Sequence, residues 1–272
     1  MRTILITGCS SGIGYHAAHA LRDRGWRIFA SCRRKEDCVR LRGEGLDSVL
    51  IDYEDADTIE AGLAELLAAT DGRIDALFNN GAYAIPGLVE DLPTNALRTI
   101  FEANFFGWHD LTVRTIREFR RQGSGRIVQN SSVLGFAAMP WRGAYNATKF
   151  AVEGLTDTLR LEMAGTDIHV SLIEPGPITS RFRANARAQF ERWIDWKASP
   201  RADDYQSQLH RLASEDKGKF ELGPAAVTDK LIHAVESPRP RARYYVTTPT
   251  HLAGAMKRIL STRAFDAIAA RN

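Results

Sequence analysis

The sequence has few cysteines, no long apolar run and no strong excess of charge. Its 272 residues include three cysteines, Cys9, Cys32 and Cys38, which form no CxxC pair and no cluster with histidine at metal-ligand spacing. A disulfide framework and a zinc site of the usual spacing are therefore excluded. No stretch of about 18 apolar residues occurs, and the first residues lack the apolar stretch of a signal peptide. These absences predict a reduced, cytoplasmic protein without a transmembrane segment and without a metal.

The charged residues are nearly balanced and are spread along the chain. Lys and Arg number 36 and Asp and Glu number 33, which gives a formal net charge of +3. Proteins that bind nucleic acid usually carry clustered basic residues on one face, so no nucleic-acid partner is expected. With 44% apolar and 25% charged residues, the composition is that of an ordinary globular protein. The expected partner is a small-molecule substrate.

Short β-branched runs alternate with segments of helical periodicity along the chain. This alternation predicts an α/β fold, in which helices cover both faces of a parallel sheet. We expect a Rossmann-type doubly wound parallel sheet of about seven strands, in a single domain over residues 1–272. The segment at about 180–222 has no predicted strand and is expected to form a small helical substrate cap. The cofactor half is predicted at about 1–125 and the catalytic half at about 126–272. The predicted strands are 4–7, 26–31, 48–51, 74–78, 126–130, 168–173 and 244–246, and the predicted helices are 13–24, 55–69, 94–121, 144–163, 225–235 and 251–270.

A glycine-rich turn joins the first predicted strand to the first predicted helix. Its sequence is Thr7-Gly8-Cys9-Ser10-Ser11-Gly12-Ile13-Gly14. In such a turn one glycine permits the tight bend, one lets the backbone approach a pyrophosphate, and one allows close packing of helix on strand. The N-terminus of the helix supplies free N–H groups to the phosphates. The turn therefore predicts a dinucleotide site, with contacts from Gly8, Ser10, Ser11, Gly12, Ile13 and Gly14.

The end of the second predicted strand carries positive rather than negative side chains. An acidic residue about 20 positions after the turn would bind the ribose 2′-hydroxyl of NAD, but this strand ends in Ser31, Cys32, Arg33 and Arg34. Hydroxyl and guanidinium groups suit a 2′-phosphate, so we expect NADP(H) to be preferred over NAD(H). The alternative is that the two arginines are only solvated, and Glu36 and Asp37, just beyond, would offset part of their charge.

A tyrosine and a lysine stand four residues apart at the start of the helix that follows the fifth strand. Tyr145 and Lys149 share one helix face, and a nearby ammonium favours the phenolate form. Tyr145 is therefore a candidate general acid and base for a carbonyl or hydroxyl group. Ser131 and Ser132 end the fifth strand, at the sheet edge where ligands bind. Asn104 is a polar residue within an apolar helix, and is either a structural hydrogen-bonding group or part of a proton relay.

Together these residues resemble the short-chain dehydrogenase/reductase family. Ser132 precedes Tyr145 by 13 positions, as the catalytic serine of that family does, and Ser131 fits less well. The resemblance implies that Tyr145 exchanges a proton with the substrate oxygen, that Ser132 hydrogen-bonds that oxygen, and that Lys149 binds the nicotinamide ribose and lowers the pKa of Tyr145. It also implies that Asn104 holds a water that links Lys149 to solvent. The residues that carry the resemblance are Thr7 to Gly14, Asp52, Asn79-Asn80-Gly81, Asn104, Ser132, Tyr145, Lys149 and Pro175-Gly176.

The same resemblance implies further cofactor contacts. Asp52 would contact the adenine amino group, although it can also be a simple turn cap. The family usually has Asn-Asn-Ala-Gly after the fourth strand, whereas this chain has Asn79-Asn80-Gly81-Ala82. Thr179 would lie near the nicotinamide carboxamide. The other residues expected at the cofactor are Tyr53, Asn79, Gly81, Pro175, Gly176 and Ile178.

The pattern favours an oxidoreductase that transfers a hydride between NADP(H) and a carbonyl or alcohol group. The resemblance is to the hydroxysteroid- and retinol-dehydrogenase-like branch, which implies an apolar substrate of steroid, retinoid or lipid type. The alternative is a catalytically inactive NADP(H)-binding sensor or scaffold. An enoyl reductase fits less well, because those relatives have a wider Tyr–Lys spacing. The aromatic residues of the predicted cap are either ordinary core contacts or a substrate lid: Phe182, Phe190, Trp193, Ile194, Trp196 and Tyr205.

Two features bear on association. The family is mostly dimeric or tetrameric through the helices predicted at 94–121 and 144–163, so we expect a homodimer or homotetramer. The C-terminal segment is basic and amphipathic, and either packs on its own sheet or contacts a membrane or partner. Its basic residues are Lys257, Arg258, Arg263 and Arg271.

Overall fold

The computed structural model describes residues 1–213 and 220–270 and contains one parallel sheet. The strands are β1 (Thr3–Ile6), β2 (Arg27–Cys32), β3 (Asp47–Leu50), β4 (Ala76–Asn79), β5 (Ser124–Asn130), β6 (Asp167–Glu174) and β7 (Arg243–Tyr245). They lie in the order β3-β2-β1-β4-β5-β6-β7, so the order reverses between β1 and β4. Adjacent strands are parallel throughout. The predicted doubly wound sheet is therefore confirmed.

Helices cover both faces of this sheet. They are α1 (Gly12–Asp23), α2 (Lys35–Gly43), α3 (Ala56–Ala69), α4 (Thr94–Phe101), α5 (Gly107–Gln122), α6 (Gly143–Glu162), α7 (Phe182–Trp193), α8 (Ala202–Ala213), α9 (Ala225–Glu236), α10 (Thr248–Ile259) and α11 (Thr262–Ala269). On one face α1, α2 and α9 pack on side chains such as Ile4, Ile28 and Val128. On the other face α3 and α5 pack on Leu5 and Leu77.

The helix predicted at 94–121 is divided in the structure. A single π-helical turn, Glu102–Phe106, separates α4 from α5. Within it, the Asn104 amide donates to the Tyr83 carbonyl at 2.8 Å and accepts from the Tyr83 N–H at 3.1 Å. These bonds tie the wide turn to the segment after β4, and π-turns are frequent at functional sites. The prediction of one continuous helix was wrong, because the spacing of apolar residues does not reveal the extra residue that a π-helical turn inserts.

Two other local differences from the predictions have physical reasons. Helix α2 was not predicted, because its nine residues are mostly charged and bury only Cys38 and Leu41. The C-terminal segment predicted as one helix forms α10 and α11, since the Ser261 hydroxyl caps a new helix by accepting from the Ala264 N–H at 3.4 Å.

The predicted cap consists of two helices outside the sheet, α7 and α8. They share an apolar cluster with the segment after β4, with α4 and with the start of α6. Asp91 anchors the cap, because its carboxylate accepts from the Tyr205 hydroxyl and from the Ser199 hydroxyl, each at 2.8 Å. Residues 214–219, which the predicted cap includes, lie outside the described residues.

The C-terminal helices pack on their own domain. Phe265 and Ala253 form a small buried cluster with Ala137, which follows the Ser132 segment. Lys257 lies over the Phe265 ring at 5.2 Å. Arg271 falls outside the described residues. Within the described ranges, no helix combines the length and the apolar character needed to cross a membrane.

Candidate active site

The glycine-rich turn lies where the strand order reverses, which is where open α/β sheets bind ligands. Gly8 has φ +68°, and a Cβ placed on it would lie 2.6 Å from the Gly81 Cα. A Cβ on Gly14 would lie 2.6 Å from the Gly8 carbonyl oxygen. The Ser11 side chain makes no cap hydrogen bond at the start of α1. The turn therefore fits a phosphate group, with backbone close at hand and helix N–H groups that no side chain occupies.

Gly8 and Gly25 provide a matched test of this turn. Both have positive φ, but a Cβ on Gly25 would meet nothing within 4 Å. Alanine at either position costs about 1–2 kcal/mol of backbone strain, and only at Gly8 does it also collide with backbone. We expect Gly8→Ala to abolish cofactor binding in a fluorescence titration, while Gly25→Ala lowers Tm and leaves the Kd unchanged. Equal cofactor affinity in the two variants would contradict a phosphate site at this turn.

Ser180 reaches the same turn, although the sequence analysis did not single it out. Its Cβ is 3.0 Å from the position a Cβ would take on Gly12, where φ is +61°. The chain between β6 and α7 is fixed there, because the Thr179 N–H donates to the Leu222 carbonyl at 2.9 Å. The signal that could have identified Ser180 is the position of its hydroxyl, directly after Thr179 in the segment that begins at Pro175-Gly176. Pro175 is buried, whereas Thr179 is exposed.

The arginines at the end of β2 lie on the surface. Arg33 and Arg34 are exposed, and neither guanidinium group forms a hydrogen bond or an ion pair with the described residues. The positive charge of Arg33 reaches the nearby carboxyl group of Glu54. Burial raises the pKa of Glu54, and the charges of Arg33 and Arg192 oppose part of this rise. Ser31 is buried and its hydroxyl has no hydrogen-bond partner among the described residues. The guanidinium groups are thus available to an anion.

Asp52, the acidic residue after β3, is half-buried, and one of its carboxylate oxygens already accepts a hydrogen bond. The Asp52 Oδ1 accepts from the Glu54 N–H at 3.1 Å, as in a turn cap. The predicted contact of Asp52 with adenine stays a prediction.

Tyr53 and Asn79 place their polar groups inside the protein. The Tyr53 hydroxyl donates to the Asn79 Oδ1 at 2.6 Å and lies 2.7 Å from the Thr7 hydroxyl. Burial raises the pKa of Tyr53. The Asn79 amide also donates to Thr112 at 2.9 Å, and its side chain is fully buried. The polar groups of both residues are therefore engaged inside the protein. A direct contact of either group with the cofactor stays a prediction.

The exchanged glycine, Gly81, lies against the glycine-rich turn. A Cβ at this position would lie 3.4 Å from the Gly8 Cα and 3.3 Å from the Tyr53 ring. The Gly81 carbonyl also accepts from the Trp108 indole at 2.8 Å. Because glycine has no Cβ, residue 81 avoids these close contacts and its backbone can lie against the glycine-rich turn.

Ser132 and Tyr145 come together at the carboxyl edge of the sheet. Ser132 ends the β5 segment, and its hydroxyl accepts from the Leu134 N–H at 3.1 Å. Burial raises the pKa of Tyr145, and the nearby Ser132 hydroxyl opposes this rise. The Tyr145 ring also packs edge-on against Phe182 at 5.4 Å. Ser131 faces away, toward Gly135 and Glu153, so Ser132 is the serine that accompanies Tyr145.

Lys149 is buried one turn beyond Tyr145. Its ammonium donates to the Asn130 carbonyl at 2.8 Å and lies 4.1 Å from the centre of the Trp108 ring and 5.6 Å from that of Tyr145. Burial lowers the pKa of Lys149 to about 7, and the negative charge of Glu153 opposes this fall. Burial sets the direction of the pKa shift at Tyr145, and the expected lowering of that pKa by Lys149 stays a prediction.

Asn104 connects the site to its surroundings. Besides its two bonds to Tyr83, its amide lies 3.3 Å from the Thr148 hydroxyl, directly before Lys149. The water relay expected from the family resemblance stays a prediction. What the structure shows is that Asn104 joins the π-helical turn to α6.

The cap covers the tyrosine with apolar side chains. Phe190, Ile194 and Tyr205 are buried in the cluster that contains Tyr145, whereas Phe182, Trp193 and Trp196 are only partly buried against it. Trp141 adopts φ +66° and stacks edge-on against Tyr205 at 4.8 Å. The walls around Tyr145 are therefore predominantly apolar.

No cation site competes with this arrangement in the described part of the chain. Residues 1–213 and 220–270 contain no group of three or more His, Cys, Asp or Glu side chains that could hold a metal ion. The three cysteines are free and buried. Burial raises the pKa of Cys9, and it raises the pKa of Cys32 to about 12, so these two thiols are poor nucleophiles.

Comparisons with known proteins agree with this geometry. A model of the short chain dehydrogenase family matches residues 2–191. An uncharacterized oxidoreductase of Escherichia coli K12, YbbO, is 38% identical over 98% of this chain and 93% of its own length. Human retinol dehydrogenase 8 is 31% identical over 89% of this chain and 80% of its own length.

Solved structures show the same fold. A short-chain dehydrogenase from Streptomyces avermitilis superimposes with a TM-score of 0.79 at 26% identity, covering 97% of this chain and 94% of that one. A variant of actinorhodin polyketide ketoreductase with NADPH superimposes with a TM-score of 0.73 at 25% identity, covering 90% of this chain and 95% of that one.

Proposed function

The chain belongs to the short-chain dehydrogenase family of oxidoreductases, and from that premise we propose that it transfers a hydride between NADP(H) and a carbonyl or alcohol group of an apolar substrate. The observation that carries the proposal is the convergence of Ser132, Tyr145 and Lys149 beside the glycine-rich turn. A sensor that had lost its chemistry would not need a tyrosine, a serine and a buried lysine at this edge of the sheet. The test is oxidation of NADPH with a panel of apolar ketones and aldehydes.

A nicotinamide dinucleotide fits the residues present. The turn at Gly8 and Gly12 and the uncapped start of α1 would hold the pyrophosphate, and Lys149 would hold the nicotinamide ribose. Arg33 and Arg34 would bind the 2′-phosphate, because charged guanidinium donors suit its negative oxygens. When bound, the nicotinamide supplies or accepts the hydride.

The residues of this chain handle the substrate oxygen. Ser132 donates a hydrogen bond to that oxygen and orients it. Tyr145 gives its proton to a carbonyl oxygen, or takes one from an alcohol. The ammonium of Lys149, in its charged form, favours the phenolate when the proton leaves Tyr145. The apolar walls exclude water, which strengthens each of these electrostatic interactions.

The preference for NADP(H) is tested by reversing the charge at Arg33. We expect Arg33→Asp to weaken NADPH binding by about tenfold to a hundredfold, because each charged hydrogen bond contributes that much. Binding of NADH should be equal or better, since a carboxylate suits a 2′-hydroxyl. The measurement is fluorescence titration of both cofactors at low and high salt, where screening should reduce the wild-type preference.

The control is Arg263→Asp, which makes the same change of charge on the exposed surface of α11. It should leave both affinities unchanged. Equal wild-type affinities for NADH and NADPH, or an Arg33→Asp variant that still prefers NADPH, would contradict the proposed 2′-phosphate site.

The proposed substrate is a steroid-, retinoid- or lipid-like alcohol or ketone. Support comes from the apolar cluster of the cap around Tyr145, with Phe182 against its ring, and from the similarity to retinol dehydrogenase 8. We further propose that the enzyme is a cytoplasmic homodimer or homotetramer. Exposed apolar side chains on α6, Phe150 and Leu155, and Phe106 of the π-helical turn support such an interface.

A further inference from the structure

A carboxylate is buried one helical turn beyond Lys149, on the side away from Tyr145. Glu153 is 6% exposed and Lys149 is 1% exposed. Residues four apart on a helix lie on the same face, so Glu153 and Lys149 are neighbours on one face of α6. An ammonium this deeply buried carries a large desolvation cost, and the negative charge of Glu153 opposes that cost.

Arg243 of β7 binds the carboxylate of Glu153. One nitrogen of this guanidinium, Nη1, bonds both to Glu153 and to Glu174, the latter at 2.5 Å. The other nitrogen, Nη2, bonds to Asp157 at 2.5 Å. Asp157 is 39% exposed and has a second partner in Arg160. One arginine thus stands between two buried carboxylates, Glu153 and Glu174.

The local packing leaves one oxygen of each buried carboxylate unoccupied. Glu153 Oε1 and Glu174 Oε2 have no hydrogen-bond partner among the described residues, and neither has the Ser131 hydroxyl. A Cβ on Gly135 would lie 2.5 Å from that hydroxyl and 3.0 Å from Glu153 Oε1. Arg243 therefore pairs with Glu153 through Oε2, and Oε1 is left without a donor of its own.

Glu174 shares Arg243 with Glu153. Burial, followed by the charge of Glu153, raises the pKa of Glu174 to about 8, and the charge and hydrogen bond of Arg243 oppose this rise. Protonation of Glu174 leaves the Arg243 guanidinium paired with Glu153.

We propose that Glu153 is a positioning residue of the active site, which keeps the buried Lys149 ammonium charged at neutral pH, and that Arg243 and Glu174 hold Glu153 in this role. The inference rests on the proposed function, because a charged Lys149 serves the ribose and the Tyr145 phenolate. Without Glu153, the charged fraction of Lys149 at pH 7 would fall, and both roles would be weakened.

The groups that face this pair are few. Lys149 is faced by Tyr145 and Glu153 of its own helix, and by the uncharged Asn130 carbonyl of β5 and Trp108 ring of α5. Glu153 is faced by Arg243 of β7, Glu174 of β6 and Asp157 of α6. Burial raises the pKa of Tyr245 in β7. The negative charge of Glu153 adds to this rise, and the positive charge of Arg258 in α10 opposes it.

The test is the titration of Lys149 itself, without cofactor or substrate. The chain has seven lysines, so the protein labelled with ε-¹³C lysine gives a simple NMR spectrum, in which Lys149→Met identifies the resonance of interest. Wild-type Lys149 should lose its proton as the pH rises through about 7. In Glu153→Gln the midpoint should fall by about one pH unit, because a unit charge has been removed from a poorly screened position.

Three variants separate charge from structure. Glu153→Asp keeps the charge and should keep the midpoint near the wild-type value, which tests the proposal even if Glu153→Gln does not fold. Glu174→Gln resembles the protonated acid, and Asp157→Asn lies two turns from Lys149, so each should shift the midpoint by less than half as much as Glu153→Gln. A folded Glu153→Gln that titrates like wild type, or a Glu153→Asp that shifts by a full unit, would overturn the proposal.

The NMR result is independent of turnover, so it distinguishes failure of this inference from failure of the proposed function. If the enzyme is active, the loss of the Lys149 proton should also appear as the alkaline limb of the pH profile. In Glu153→Gln this limb of kcat/KM should move to lower pH by the same amount as the NMR midpoint. A purely structural role of Glu153 would lower the amplitude of the profile and leave its position unchanged.

Discussion

Replacing Tyr145 with Phe should lower kcat by about 10²–10⁴-fold, which is the usual loss when a general acid is removed. The phenol is the group that we propose to exchange a proton with the substrate oxygen, and Phe keeps the ring that packs against Phe182. The cofactor Kd should stay within error of the wild-type value, because the phosphates and ribose are held by other residues. The measurements are steady-state kinetics with an apolar carbonyl substrate and a fluorescence titration with NADPH.

A tyrosine outside the site provides the control for this substitution. The Tyr244 hydroxyl bonds to His233 at 2.8 Å, on the edge strand β7. Tyr244→Phe removes a hydroxyl of the same kind and should leave kcat unchanged. A Tyr145→Phe enzyme with near-normal kcat on a verified substrate would refute the assignment of the general acid.

Replacing Lys149 with Ala should impair both cofactor binding and the rate. The loss of a charged hydrogen bond to the ribose should raise the cofactor Kd by about tenfold to a hundredfold. The loss of the charge next to Tyr145 should also lower kcat, because the phenolate is no longer favoured. Isothermal titration with NADPH and steady-state kinetics measure the two effects separately.

Thermal unfolding provides the control for Lys149. A buried ammonium is costly to the fold, so Lys149→Met, which keeps the apolar stem, should have a Tm equal to or above that of the wild type. A functional site commonly carries such a stability cost. If kcat fell while the cofactor Kd did not change, the proposed contact with the ribose would be wrong.

Most of the fold followed from local patterns. The strand–helix alternation predicted the sheet, and the position of Gly8, Gly12 and Gly14 between a strand and a helix placed the phosphate turn. The π-helical turn Glu102–Phe106 could not be predicted, since its cause is the tertiary contact of Asn104 with Tyr83. Helix α2 was missed because its charged sequence has almost no apolar periodicity.

The candidate residues could be chosen from the sequence, but their environments could not. The spacing of Ser132, Tyr145 and Lys149 indicated that they share one site, yet it could not show that burial raises the pKa of Tyr145 and lowers that of Lys149. Glu153 and Arg243 are separated by 90 residues, and only the sheet order brings them together.

The central claim is hydride transfer, and its most direct test follows the hydrogen itself. NADPH that carries deuterium at both C4 positions of the nicotinamide is incubated with the wild-type enzyme and an apolar ketone or aldehyde, and the alcohol is examined by mass spectrometry. The alcohol should gain one deuterium with wild type, and Tyr145→Phe should give almost none, although both proteins bind the cofactor. Tight binding of NADPH by the wild type, without deuterium transfer to any member of a panel of steroid-, retinoid- and lipid-like carbonyl compounds, would contradict the account and favour a nucleotide-binding sensor.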